Sequence, residues 1–243
     1  MEQIKSYVDS RLLNGCIYCG GFADTREHVP SKVFLDIPYP ENLPVVDACL
    51  ACNNGFSSDE EYFSAFIEVA YSGTTDLQKI RREKIAMLLK RSPALSARIL
   101  NAIVISSSKI EFHMELERIK RVIVKLARGH AAFELGECCS HEPSYIWWGD
   151  LNLLGEEQRK EFCAPTKIDL LGEIGSRHSR RIDVVELSLC DVDERNLKKI
   201  SIFINHWIEV QENRYRYISD IIDGGVRIKM IIGGYFACEV TWS

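Results

Sequence analysis

The chain has 243 residues, of which 46% are apolar and 27% charged, enough to bury a sizeable core. No stretch approaches the run of about 20 apolar residues that a membrane-spanning helix requires, which argues against a membrane protein. The net charge of −5 excludes a chain that coats nucleic acid through its overall charge, so the distribution of charge matters more than its sum.

The opening, Met1 to Asn14, mixes polar and apolar residues and lacks the apolar core and small-residue cleavage site of a secretory signal; a soluble, cytoplasmic protein is expected. From Asn14 to Asp59 the chain is rich in Cys, Gly, Pro and Asn with little helical periodicity, as expected of a small metal-organised module of short strands and turns. Ser57 and Ser58 each precede a glutamate by three residues, a capping-box pattern that predicts a helix carrying Phe63, Phe66, Ile67 and Ala70 on one face and ending at Gly73. Thr75-Asp76 opens a second predicted helix to about Lys90, and Ser92-Pro93 a third to about Leu100. Ile110, Phe112 and Met114 alternate like a half-buried strand, and Ile119, Val122, Ile123 and Leu126 mark a long helix that ends near Gly136.

From about Ser144 the composition shifts to β-branched and aromatic residues. Strands are expected within Asp183–Leu189, Lys199–Glu209, Arg214–Ile222 and Val226–Trp242, with Gly224-Gly225 as a hairpin turn and Gly233-Gly234 as a bulge or second turn. The late aromatics, including Trp147, Trp148, Trp207 and Trp242, are read as packing within this β half.

Nine cysteines in a secreted chain would suggest disulfides, but four of these form the pairs Cys16-Ile-Tyr-Cys19 and Cys49-Leu-Ala-Cys52. CxxC…CxxC supplies four thiolates, a closed tetrahedral set that suits structural Zn²⁺. Cys138, Cys139, Cys163, Cys190 and Cys238 show no ligand spacing and are read as small core residues. Between and beside the pairs lie Arg26-Glu27-His28-Val29-Pro30, Asn42-Leu43-Pro44-Val45-Val46 and Cys52-Asn53-Asn54.

This order, CxxC, acid-His-x-x-Pro-like, Asn-Leu-x-x-Val/Leu, then CxxC-Asn, resembles the zinc-containing branch of the HNH (ββα-metal) endonucleases over residues 14–63. The resemblance implies a β-hairpin and helix around one catalytic divalent cation, Mg²⁺ or Mn²⁺. His28 is then the general base, Glu27 and Asn53 the metal ligands, and Asn42 the residue that orients the histidine. The acid is Glu where the commonest pattern has Asp, and Asn54 or Asp59 can share the role of Asn53. Read without the family, Glu27 can pair with Arg26, and both asparagines can be turn residues.

Lys79 to Arg128 holds thirteen Lys and Arg against four Asp and Glu, between acidic ends. Arg81, Arg82, Lys84, Lys120, Arg121 and Lys125 are candidate phosphate contacts for a nucleic-acid partner, DNA first; as single helices such runs are usually solvated faces. The expected architecture is α+β: an N-terminal zinc-stapled ββα-metal module (1–71), a basic helical region (72–143) and a mainly β accessory region (144–243). The expected function is phosphodiester hydrolysis in DNA. Chains of this resemblance occur in antiviral defence and mobile elements, sometimes with an ATPase or other protein partner. The alternatives are a non-catalytic zinc-ribbon module that binds nucleic acid or protein, and an RNase on the same site.

Overall fold

In the computed structural model, residues 15–74, 76–105, 110–168, 182–190 and 197–243 are described. The expectations for the opening segment 1–14, for Thr75 and for the stretch 169–181 lie outside them. The fold is mixed α+β, as the sequence implies.

Strands β1 (Thr25–His28) and β2 (Val45–Ala48) pair antiparallel, with Glu27 opposite Val46 and His28 opposite Val45. Helix α1 follows directly, from Leu50 to Ser72. It begins two turns before the predicted start, because its N-cap is Cys49, whose Sγ accepts from Cys52 N–H, while Leu50 N–H reaches Asp24 Oδ1 at 2.7 Å. A capping residue that also belongs to a metal cluster is invisible to a search for Ser, Thr, Asp or Asn. Ser57 instead sits inside the helix, its hydroxyl bonded back to Asn53 O. Gly73 ends α1 in the left-handed conformation, φ 59°, as expected.

The middle of the chain is helical. After a 3₁₀ turn at Leu77–Lys79 come α2 (Glu83–Arg91) and α3 (Pro93–Asn101), the latter capped by Ser92. A small hairpin, β3 (Ile103–Ile105) with β4 (Ile110–Phe112), leads to α4 (Leu116–His130). α4 runs into a π-helical turn, Ala131–Leu135, closed by Gly136 at φ 76°. Then follow β5 (Tyr145–Asp150), α5 (Glu156–Cys163), β6 (Thr166–Ile168), β7 (Asp183–Cys190), β8 (Leu197–Asn205), β9 (Ile208–Gln211), β10 (Tyr215–Ile222), β11 (Gly225–Ile232) and β12 (Phe236–Trp242). The run predicted as one strand over Lys199–Glu209 is broken at His206-Trp207, where the chain passes from one sheet to another.

All sheets are antiparallel. The main one has the order β5-β12-β11-β10-β9, and a smaller one β6-β8-β7. The β10–β11 turn is made by Asp223 and Gly224, both at positive φ, one residue earlier than the expected Gly224-Gly225, because Gly225 already pairs with Ile222 as the first residue of β11.

Alternation along the strands puts Tyr215, Tyr217, Ile228, Met230, Ile232, Phe236, Cys238 and Val240 on one face of the main sheet, where they meet α1 and α4. Phe63 of α1 stacks edge-on between Phe34 and Phe236, with centroids 5.8 and 4.9 Å away. The opposite face carries Leu151, Ile231 and Ala237 under Phe162 of α5, flanked by Trp147 and Trp207. One core therefore runs from Phe34 to Trp242 across all three expected regions. The boundaries expected near 71 and 143 separate runs of composition, not separate cores.

Candidate active site and metal centre

Cys16, Cys19, Cys49 and Cys52 converge, their sulfurs all within 4.8 Å of one another. Cys19 Sγ and Cys49 Sγ lie 3.7 Å apart, close to the roughly 3.8 Å that a tetrahedral site with Zn–S of about 2.3 Å demands. The first pair is shaped by a tight turn, with Gly20 N–H on Cys16 O and Cys16 N–H on Gly21 O. The second straddles the start of α1. Burial pushes the Cys16 thiol up, but hydrogen bonds from the backbone at Cys49, Tyr18 and Cys19 outweigh this and bring it to about 7. Cys52 is driven well above the usual thiol range, by burial and then by neighbouring sulfurs. Four thiols so placed cannot all ionise without a cation among them, so the donor set fits a zinc ion. The other described cysteines are free; Cys139 and Cys238 are buried as expected, whereas Cys138 is exposed.

On β1 the strand period turns Glu27 inward, toward α1 and α4, and His28 to the other face. Glu27 is 7% exposed, and its Oε1 accepts from Lys125 Nζ at 2.9 Å. The same ammonium donates to Glu60 Oε1 on α1 and to Ser31 Oγ, both at 2.5 Å, and Ser31 in turn donates to Glu60 Oε1. All four side chains are buried. The possible pairing of Glu27 with Arg26 is replaced by this interior cluster.

His28 is half-buried at the end of β1, and no hydrogen bond to its ring occurs among the described residues. Burial, then the charges of Lys32 and Lys125, lower its pKa, so the neutral imidazole is favoured. Asn42 is exposed and forms no hydrogen bond with His28 among the described residues, so the expected orienting contact is not formed. Asn53 Nδ2 lies 3.3 Å from Thr25 Oγ1 and 3.4 Å from Arg26 O, tying the first turn of α1 to β1. Asp59 is buried, and its two oxygens are held by Arg118 and Arg121.

The six basic candidates divide. Arg82 is buried, its guanidinium bonded to Asp36 and to the carbonyls of Val33 and Leu35. Lys84 donates to Lys32 O and Tyr39 Oη. Arg81 lies 3.9 Å over the Tyr71 ring, with Glu68 beside it. These three brace the Ser31–Tyr39 loop and α1, because guanidinium and ammonium donors saturate buried carbonyls as readily as they bind phosphate. Lys125, expected on the surface, is 2% exposed and faces the carboxylates.

Lys120, Arg121, Lys125 and Arg128 line a cleft of about 200 Å³ on one face of α4, with Phe56 of α1 opposite and Glu117 and Glu142 also in its wall. His130, at the end of α4, is fully buried, stacked on Tyr217 at 3.7 Å, with Nε2 2.8 Å from Tyr215 Oη. It belongs to packing, as expected.

Sequence reasoning missed Ser31, Glu60 and the inward turn of Lys125. A signal existed for Glu60: it follows Phe56 by four residues and precedes Phe63 and Ile67 by three and seven, which places it on the buried stripe of α1. Among the described residues no helix is long and apolar enough to cross a membrane. Comparison of the chain with family models, curated proteins and solved structures finds no match.

Proposed function

We propose that the chain is a metal-dependent nuclease of the HNH kind that hydrolyses phosphodiester bonds in DNA. The observation that carries this reading is a half-buried His28 biased to its neutral form, next in sequence to the carboxylate of Glu27, on a β-hairpin and helix tied together by four cysteines. A neutral imidazole accepts a proton from water near pH 7, which is the task of a general base in phosphodiester hydrolysis. Lys120, Arg121 and Arg128, in the cleft that Lys125 shares with the Glu27 cluster, supply positive charge beside a phosphate backbone.

Glu27, and by resemblance Asn53, would hold the catalytic Mg²⁺ or Mn²⁺. Such an ion, when bound, polarises a phosphoryl oxygen and stabilises developing charge. The cysteine-bound zinc keeps no open position and serves the fold.

One observation favours the non-catalytic alternative: Glu27 already has a partner in Lys125, as a purely structural ion cluster would. The deciding experiment is cleavage of plasmid DNA, and of RNA, by zinc-loaded wild type and His28→Ala, each with Mg²⁺, Mn²⁺ or EDTA. Wild type is expected to nick DNA only with the divalent ion. His28→Ala should be at least about 100-fold slower with an unchanged circular dichroism spectrum. Cleavage of RNA alone would redirect the assignment to an RNase. Folded wild type inert on both nucleic acids would favour the binding-module reading.

A further inference from the structure

We infer that the cleft along α4 holds an unpaired nucleotide, its base stacked on Phe56 and its phosphates on Lys120, Arg121 and Arg128, so that single strands bind in preference to duplex. The inference rests on the nuclease reading for what happens to the strand, but not for the binding itself.

α4 presents Glu117, Lys120, Arg121, Val124 and Arg128 to the cleft, a stripe over successive turns that spans about 16 Å along the helix axis. Lys120 is half-buried, yet its ammonium forms no hydrogen bond and no ion pair among the described residues. Glu117 and Glu142 are exposed in the same wall, and neither pairs with it. Arg121 commits only Nη1, to Asp59 Oδ2 at 2.8 Å, and its side chain is 60% exposed. Arg128 is held in place by Nη2, which donates to Ser140 O and His141 O. Cations with donors to spare along one face bind phosphate readily.

Phe56 makes this more than a solvated basic face. It is half-buried on α1, packs edge-on against Tyr18 at 5.2 Å, and lines the cleft together with Val124. At about 200 Å³ the cleft is smaller than the roughly 300–1,000 Å³ of pockets for drug-sized ligands, room for one planar base but not for a duplex. A ring beside cations matches a nucleotide, whose base offers a π-face to the ring while its phosphates meet the charges. In a duplex the base faces are stacked on one another, so the ring would have no counterpart.

Lys125 ties this platform to the hairpin. Its Nζ lies 5.8 Å from the centroid of Phe56 and 2.9 Å from Glu27 Oε1, so a strand held on Phe56 runs beside Glu27.

The test is binding of fluorescein-labelled strands of about 12 nucleotides to the zinc-loaded full chain, followed by anisotropy without Mg²⁺ or Mn²⁺ so that nothing is cleaved. Oligo-dT and oligo-rU are expected to bind at least about fivefold more tightly than a duplex of the same length. Phe56→Leu, which keeps apolar bulk against Tyr18, should weaken single strands about tenfold and duplex less than about twofold. Lys120→Gln should weaken both alike and flatten the salt dependence. In case Phe56→Leu fails to fold, a strand carrying 5-iododeoxyuridine, crosslinked to wild type by light, should attach to the peptide that contains Phe56. Unchanged single-strand binding in folded, zinc-loaded Phe56→Leu, a duplex held as tightly as single strands, crosslinks confined to other peptides, or no binding by wild type overturns the inference. Tighter binding of oligo-rU than of oligo-dT supports it and moves the substrate to RNA. If single strands bind on Phe56 yet neither DNA nor RNA is cut, the site stands and the nuclease reading falls. If DNA is cut while duplex and single strands bind alike, the reverse holds.

Discussion

His28 and His130 share a pKa lowered first by burial and then by nearby positive charge, with different consequences. His28 retains contact with solvent, so its neutral form is available to take a proton. His130 is enclosed between Tyr215 and Tyr217, where burial, then Lys125, hold its pKa well below 6.5. Its Nδ1 has no partner, and Tyr215 Oη donates to Met230 Sδ, which leaves Nε2 as the protonated nitrogen. Below pH 6.5 the unfolded chain therefore takes up a proton at this position that the folded chain refuses. The stability this provides is complete above pH 6.5 and declines as pH falls, by at most about 1.4 kcal/mol per unit for one proton. Urea denaturation at pH 7.5, 6.5 and 5.5 should show a smaller acid loss in His130→Phe than in wild type; equal slopes would assign the acid sensitivity elsewhere.

At the scale of elements, the hairpin has little apolar burial of its own, whereas α1 is anchored in the main core by Tyr62, Phe63, Phe66, Ile67 and Val69. The small cluster around Cys16, Ile17, Tyr18, Val29, Val46 and Ala48 is distinct from the main core, and β1 and β2 are four residues each. Two such strands are marginal alone. The cysteines bring the turn before β1 to the first turn of α1, so a zinc ion held there would tie both ends of the module. Chelation at neutral pH is expected to lower stability by several kcal/mol. Amide exchange should rise in residues 15–56 before it rises in α4 or β10–β12. Uniform exchange across the chain, or no change in melting temperature, would show that the cysteine cluster does not carry the fold. The capping role of Cys49 explains why α1 starts two turns before the capping box at Ser57 and Ser58: a cap upstream, on a cysteine of the four-sulfur cluster, overrides it.

Across the whole molecule, the C-terminal sheet forms the other wall of the N-terminal module's core. Tyr235 Oη donates to Ile67 O at 2.7 Å, and Arg214 reaches Asp36 and Glu68. Gly233 marks the closest approach: its φ is 65°, and a Cβ there would come within 2.8 Å of Ile67 Cγ2. Gly233→Ala combines a left-handed alanine with a clash against α1, and is expected to cost about 2–4 kcal/mol. Chemical denaturation measures this directly, and a cost below about 1 kcal/mol would mean that sheet and helix are free to separate. A role for residues 144–243 as the packing partner of α1 and α4 follows from this seam.

Much of the plan was legible in the residues. Paired CxxC spacing foretold the four-sulfur cluster because covalent spacing limits how thiols converge, and the β-branched C-terminal runs foretold strands because alternation is a local property. Gly73 and Gly136 ended their helices for equally local reasons. Tertiary structure decided which charges brace the fold and which line the open cleft on α4. Arg82 and Lys125 are written like Lys120 and Arg121, and only their burial separates them, Arg82 against Asp36 and the carbonyls of Val33 and Leu35, Lys125 against Glu27 and Glu60. Glu27 and Glu60 meet over Lys125 solely because β1, α1 and α4 pack together. A charge declares its sign in sequence, but its partner is set by desolvation and packing between segments far apart in the chain.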